Sequence, residues 1–414
     1  MTTNHAAEPG TNNRHELVRR ANIESVFRAI GEHAPASRND LVRLTGLSKP
    51  TVLALVAALE QEDLIRSTRL AAKPRGAGRR PIGYEHNPQA AYVIGVDVGG
   101  TKTAVAIADL SGGLKAEIEL VTSKAGGKAV VEQIADAARA VARQAGIAWS
   151  AVDAIAIGTP GVQDSSGAIH MAENIPGLDG VKLAKAVRSS LRVPVLLEND
   201  VNLAALGEHA TGAAQGRTSF VLLSIGTGLG LGIVVDGHLV RGARGAAGEV
   251  AYLPIGGDPS TKSGRRRGAF ELAAAGSAVT QILIDELTTV RKNSMTSLTK
   301  VSTARDVYDA ADAGDALALR VVRRHAQLIT LGILAVVSLL DPEVVVLGGG
   351  IGSNPLMLAT LRSEVDRVTP WPVALEAAEL GGRAGLVGAV HHALRSLPEI
   401  ESRRVSLRLQ KGES

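Results

Sequence analysis

The sequence predicts an α/β protein made of a small helical head and a larger strand-and-helix body. Composition is the first reason. Hydrophobic residues make up 45% of the 414 residues, aromatics only 2%, so the cores are built from Ala, Val, Leu and Ile, which suit buried parallel strands covered by helices. The second is a helix, glycine turn, helix pattern near the N-terminus. The third is a set of apolar strands between Tyr92 and Gly352 that run into glycine clusters.

Length allows two or three domains. We divide the chain into a polar tail (1–13), a head (14–88), a body (89–398) and a C-terminal tail (399–414) that lacks a long apolar stripe. With no cysteine, disulfides, thiolate zinc sites and cysteine nucleophiles are excluded, and a cytoplasmic location fits. No signal-peptide core is visible in the charged N-terminal stretch. The longest apolar run, Gln327 to Leu340, is too short to span a bilayer and is stopped by Asp341-Pro342. It reads as a buried helix, and no membrane partner is expected.

Three helical patterns form the head. The first ends at Glu32 and puts Leu17, Ile23, Val26, Phe27 and Ile30 on one stripe. The second starts at Ser37, where "SRND" makes a capping box closed by Asp40, and carries Leu41, Val42 and Leu44. Gly46 turns the chain. The third takes Ser48 as N-cap and Pro50 in its first turn, with Val52, Leu55, Val56 and Leu59 as its apolar stripe. Two strand patterns follow, Leu64–Leu70 and Pro81–Asn87, joined by a Gly/Pro tip. From Arg66 to Arg80 the chain has six basic residues and no acid.

This is the outline of a winged helix-turn-helix, whose third helix enters the major groove of double-stranded DNA. Ser48, Lys49, Thr51 and Val52 are the expected base-facing surface. Arg75, Arg79 and Arg80 are the expected wing contacts to phosphate or the minor groove. A plain three-helix bundle with a flexible basic linker is the alternative. Charge favours DNA: residues 1–90 hold 13 Lys/Arg against 9 Asp/Glu, while the rest of the chain holds 32 of each, so the whole positive excess lies in front.

In the body, Asp97-Val98-Gly99-Gly100-Thr101-Lys102 sits between two apolar runs. Its glycines let backbone approach a phosphate, and Asp97 would hold Mg²⁺ or a water on the phosphate tail. A tight hairpin with no ligand is the plainer reading. The same logic returns at Ser224–Gly232, with Gly226, Thr227 and Gly228, and a third cluster, with Gly349 and Gly350, follows the strand "EVVVLGG".

That order resembles the actin-like ATPase fold of sugar kinases. The resemblance implies two related α/β lobes closing on a cleft, a phosphate hairpin from each, and a third turn on the adenosine side. More closely, the chain resembles the ROK family of bacterial repressors, open reading frames and sugar kinases. The motifs that carry this are "DVGGTKTAVAIADLSG", "IGTPGV", "ENDVNLAALGE", "GTGLGLG", "GAAGEV", "LGGGIG" and "GLVGAVHHAL". Together they span nearly all of residues 91–398, and the winged N-terminus points to the regulator branch.

Asp200 follows the short strand "VPVLLEN", where an exposed carboxylate can take a proton from a hydroxyl or cap the next helix. The resemblance gives Asp200 the role of catalytic base, with Asn199, Glu249 and Glu271 as sugar ligands. The family's zinc site lies between those two glutamates. Here its His position is Tyr252 and its three Cys positions are Lys262, Gly264 and Ala269, so no zinc is expected. Tyr252 either donates one hydrogen bond in place of the His or narrows the pocket. The replacement segment "KSGRRRG" reads as a mobile, solvated surface loop, with contact to DNA or a phosphosugar as the alternative.

The expected function is a sugar-responsive repressor that binds operator DNA as a homodimer or homotetramer, with a sugar or sugar-phosphate effector and no cofactor needed for DNA binding. The intact phosphate loops and Asp200 keep an ATP-dependent sugar kinase, using Mg-ATP, and a bifunctional protein as alternatives.

Overall fold

The computed structural model describes residues 9–69, 82–172, 174–289 and 296–412. The head consists of α1 (Pro9–Glu32), β1 (Ala36–Ser37), α2 (Arg38–Thr45), α3 (Lys49–Gln61), β2 (Ile65–Arg69) and β3 (Ile82–His86). Local chemistry sets its breaks. Ser37 and Asp40 close the reciprocal capping box of α2, and Gly46 ends that helix in the left-handed region at φ 67°. Ser48 Oγ accepts from the Thr51 N–H at the start of α3. β1 pairs with β3, which pairs with β2, so the hairpin is anchored to the helices. The tip between β2 and β3, with Arg75, Arg79 and Arg80, lies outside the described residues.

The first lobe contains β4 (Tyr92–Val98), β5 (Lys102–Asp109), β6 (Leu114–Val121), α4 (Gly127–Gln144), β7 (Val152–Thr159), the small pair β8 (Val162–Gln163) and β9 (Ile169–His170), α5 (Leu183–Leu191), β10 (Val195–Asn199) and α6 (Asp200–Thr211). The second contains β11 (Phe220–Ile225), β12 (Leu229–Val235), β13 (His238–Leu239), α7 (Lys262–Arg267), α8 (Ala269–Ala274), α9 (Gly276–Thr289), α10 (Ala304–Asp312), α11 (Ala316–Leu340), β14 (Val344–Gly348), α12 (Gly349–Gly352), α13 (Pro355–Val368) and β15 (Leu375–Ala377). The chain ends in α14 (Ala384–Gly412).

The two large sheets share one plan. The first runs β6-β5-β4-β7-β10 and the second β13-β12-β11-β14-β15. In each, an antiparallel meander is extended on one side by two parallel strands. This is the lobe duplication that the repeated glycine hairpins imply. Helix α6 leaves the first sheet and packs on β12 of the second, so it joins the lobes.

Several expectations need correction. Helix α1 begins at Pro9, inside the segment read as a tail, and Leu17 is 56% exposed. Leu44 is exposed rather than buried. Residues 399–412 are the end of α14, not a frayed tail. They stay helical because the head gives them a partner: Val405 is buried, and Ser402 Oγ donates to Glu24 of α1 at 2.9 Å. The "KSGRRRG" segment is a short helix, α7, capped by Thr261. Helix α11 has 25 residues, long and apolar enough by length and composition to cross a membrane. Its apolar face instead fills the core of the second lobe against α9, α10 and α13.

Candidate ligand cleft and nucleic-acid interface

A cleft of ≈ 710 Å³ opens between the lobes. Its chemistry is set by how β10 passes into α6. Asn199 is the N-cap, its Oδ1 accepting from the N–H groups of Val201 at 2.9 Å and Asn202 at 3.2 Å. Capping is therefore done by Asn199, not by Asp200. Asp200 stands at the first helical position, where the helix dipole favours a carboxylate. One of its oxygens accepts from the Val201 N–H at 2.9 Å. Burial nevertheless holds its carboxyl above the usual range.

The opposite wall comes from the second lobe. Glu249 lies on the loop after β13, and burial followed by the charges of Asp200 and Glu271 raises its pKa. Glu271 of α8 accepts from the Leu229 N–H at 3.2 Å and from Arg267 Nε at 3.2 Å. Tyr252 reaches the cleft, but its hydroxyl donates to the Arg266 carbonyl at 3.0 Å. Gly226, Thr227 and Gly228 complete this wall. Carboxylates and amides converging from both lobes form a set of acceptors and donors suited to a polyhydroxylated ligand.

The Asp97–Lys102 hairpin flanks the cleft. The Gly99 N–H donates to the Lys102 carbonyl at 2.9 Å, and the backbone at Gly100 lies against Asn174, a cleft residue. Thr101 is exposed at the tip. Lys102 pairs with Glu119 at 2.9 Å. Asp97, at the end of β4, is pushed up to about 7 by burial first and then by Asp200, with Lys102 opposing. A carboxyl whose folded pKa lies above its unfolded value near 3.9 binds its proton more tightly when folded. Its stabilising contribution is complete below that unfolded value and is lost as pH rises through about 7. Asp97→Asn is therefore expected to flatten the fall in melting temperature between pH 5 and 8. An unchanged slope would contradict it.

The third glycine cluster does not join the cleft lining. Gly349, at φ 74°, packs its backbone against Ile225, where a Cβ would overlap the Ile225 carbonyl. With Gly350 it opens the short helix α12 beside β11, where both glycines are exposed; Asp97, Gly99, Gly100, Thr101 and Lys102 are likewise outside the cleft lining. Sequence reading missed the cleft residue Asn174, which no spacing signal marks, whereas Arg266 and Arg267 of the "KSGRRRG" segment do reach the cleft lining, as the alternative reading of that segment has it.

In the head, Ser48, Lys49 and Thr51 lie at the start of α3, with Ser48 Oγ 2.7 Å from Thr51 Oγ1. Val52 is 1% exposed and belongs to the head core, so it cannot face bases. Leu53, 46% exposed, takes its place on the outer face. Lys49→Ala, which removes one cation from the DNA-facing start of α3, is expected to weaken DNA binding and to lower the slope of log affinity against log salt by about one; an unchanged slope would take Lys49 off the interface. A salt titration of wild type and variant checks this.

Fold and site together define a ligand-binding, kinase-like body carrying a DNA-reading head, the build of a sugar-responsive transcriptional regulator. The chain belongs to the ROK family, whose profile matches residues 93–396. Residues 24–69 match the IclR helix-turn-helix domain. The chain is similar to the xylose repressor of Bacillus spizizenii, 28% identical across 86% of this chain and 89% of that protein. It is also similar to a glucokinase of Halalkalibacterium halodurans, 34% identical across 72% of this chain and 93% of the relative. The crystal structure of a ROK family transcriptional regulator, a homologue of the E. coli MLC protein, shares the fold with a TM-score of 0.78. It is 22% identical, covering 94% of this chain and 99% of that one.

Proposed function

We propose that the protein is a cytoplasmic transcriptional repressor whose cleft binds a sugar or sugar phosphate and thereby sets its grip on operator DNA. The observation that carries this is the cleft itself: Asn199 and Asp200 on one lobe face Glu249 and Glu271 on the other. A ligand held by both lobes prefers the closed arrangement, and only such a preference shifts a population. Arg266 and Arg267 on the rim supply charge for a phosphorylated sugar. The named relatives make a pentose and a hexose the first ligands to try. DNA is read by a homodimer or homotetramer through repeated half-sites. Arg75, Arg79 and Arg80 extend the contact along the backbone. On this reading DNA binding needs no cofactor, and a chain without cysteine offers no thiolates for a closed structural zinc site.

A thermal-shift screen of sugars and sugar phosphates tests the reading. A ligand of the native state raises the midpoint with concentration, and a flat response to the whole panel would sink it.

One observation favours a second reading, in which the body also transfers phosphate. Asp200 lies close enough to Asp97 to raise its pKa, a balance that a divalent cation would relieve. Asp97 and the Gly99–Lys102 and Gly226–Gly228 turns would hold Mg-ATP, which when bound supplies the phosphoryl group. Asp200 would take the sugar hydroxyl proton. Sugar-dependent ADP release that disappears in Asp200→Asn would establish the bifunctional protein.

A further inference from the structure

Glu198 immediately precedes the two cleft residues Asn199 and Asp200, at the end of the edge strand β10. Its side chain is only 7% exposed. One carboxylate oxygen accepts from the Asn199 N–H at 2.9 Å and the Asn202 amide at 2.8 Å. The other accepts from Arg241 Nε at 2.6 Å. Arg241 belongs to the opposite lobe. It follows β13, the edge strand of the second sheet, on the segment that leads to Gly245–Glu249, and its carbonyl accepts from the Ala247 N–H at 3.1 Å. One charge-assisted bond thus ties together the two arms of the cleft.

The other side of Arg241 faces the head. It lines a cavity of ≈ 890 Å³ between head and body, together with Arg66 and His86 of the wing strands and His392 of α14. His392 feels the charges of both Glu198 and Arg241. Helix α14 then packs along α1. On that helix Phe27 stacks on His86 with centroids 4.2 Å apart, and the Phe27 carbonyl lies 2.9 Å from His86 Nε2.

We propose that the Glu198–Arg241 pair is the clasp that couples cleft closure to the seat of the DNA-reading head. A nearly buried carboxylate is not readily left without its partner. Arg241 therefore follows Glu198 when the lobes rotate, and it carries with it one wall of the head–body cavity. Both residues act by position and neither needs to touch ligand or DNA. The idea rests on the regulator reading above, and it names the contact by which cleft and head move together when the lobes change arrangement.

The test compares wild type with Arg241→Gln and Arg241→Lys, using a duplex selected from random DNA by the wild-type protein. D-Xylose, D-glucose and their phosphates are the probes. Sugar affinity, operator affinity without sugar, and the ratio of operator affinities with and without sugar are measured. Arg241→Gln is expected to leave the first two near wild type and to bring the ratio from roughly 5–150-fold, the usual range of allosteric coupling, to about one. Arg241→Lys, which keeps the charge, recovers part of it. A ratio equal to wild type in Arg241→Gln overturns the clasp and leaves the regulator standing. No ratio in wild type with any probe overturns the regulator instead. The clasp is then decided by amide exchange without ligand: Arg241→Gln must raise exchange in residues 24–32 and 82–86, and unchanged protection overturns it.

Discussion

Asp200→Asn is expected to reduce sugar affinity by roughly 10–100-fold, the effect of losing a hydrogen bond to a charged acceptor. The substitution keeps the shape of the side chain and an oxygen for the Val201 N–H, which Asp200 now serves at 2.9 Å. What it removes is the negative charge that binds a ligand hydroxyl most strongly. Stability should hold or rise near neutral pH, because burial disfavours the ionised form of this carboxyl. Calorimetric sugar titration and thermal melting of the same preparation separate the two effects. Unchanged sugar affinity would remove Asp200 from the site. Weak binding together with a lower melting temperature would mean that the residue is structural.

The second large effect is expected at the crossing of α6 and α14. Gly207 and Gly388 face each other there with no side chain between the backbones. A Cβ on Gly388 would overlap the Leu203 carbonyl and come within 2.9 Å of the Gly207 nitrogen. A Cβ on Gly207 would overlap the Ala384 carbonyl. Backbone cannot yield as a side-chain tip can, so Gly388→Ala must push the helices apart, at a cost toward the upper end of the roughly 1–3 kcal/mol usual for overpacking. Helix α6 carries Asp200 and α14 carries the head, so the same change should lower sugar affinity as well as the melting temperature. Gly350→Ala, where the added methyl meets open space, serves as the control and should melt near wild type.

Much of this was legible because it is local. The Ser37–Asp40 box, the Ser48 cap and the glycine turns each follow from a few neighbouring residues. The repeated hairpin motif also announced the duplicated lobes. What escaped was rotational or distant. Val52 fits both the apolar stripe and the DNA face of α3 by spacing, and only packing assigns it to the core and Leu53 to the surface. Glu198 sits within a recognisable motif, yet its partner Arg241 is 43 residues away, just after the edge strand of the other sheet. Residues 399–412 have too little apolar character to predict a helix alone, and they fold on α1, which the sequence cannot bring beside them. Gly349 and Gly350, like the Asp97–Lys102 hairpin, follow the right local rule yet do not line the cleft between the lobes, since the position of a turn relative to a cleft is a property of the assembled sheets.

The most direct measurement is an anisotropy titration of a labelled duplex with wild-type protein, alone and with a saturating sugar that raises its melting temperature. The expected result is a shift in DNA affinity of at least about fivefold. Superimposable curves for every sugar that binds would contradict the coupling of cleft to head.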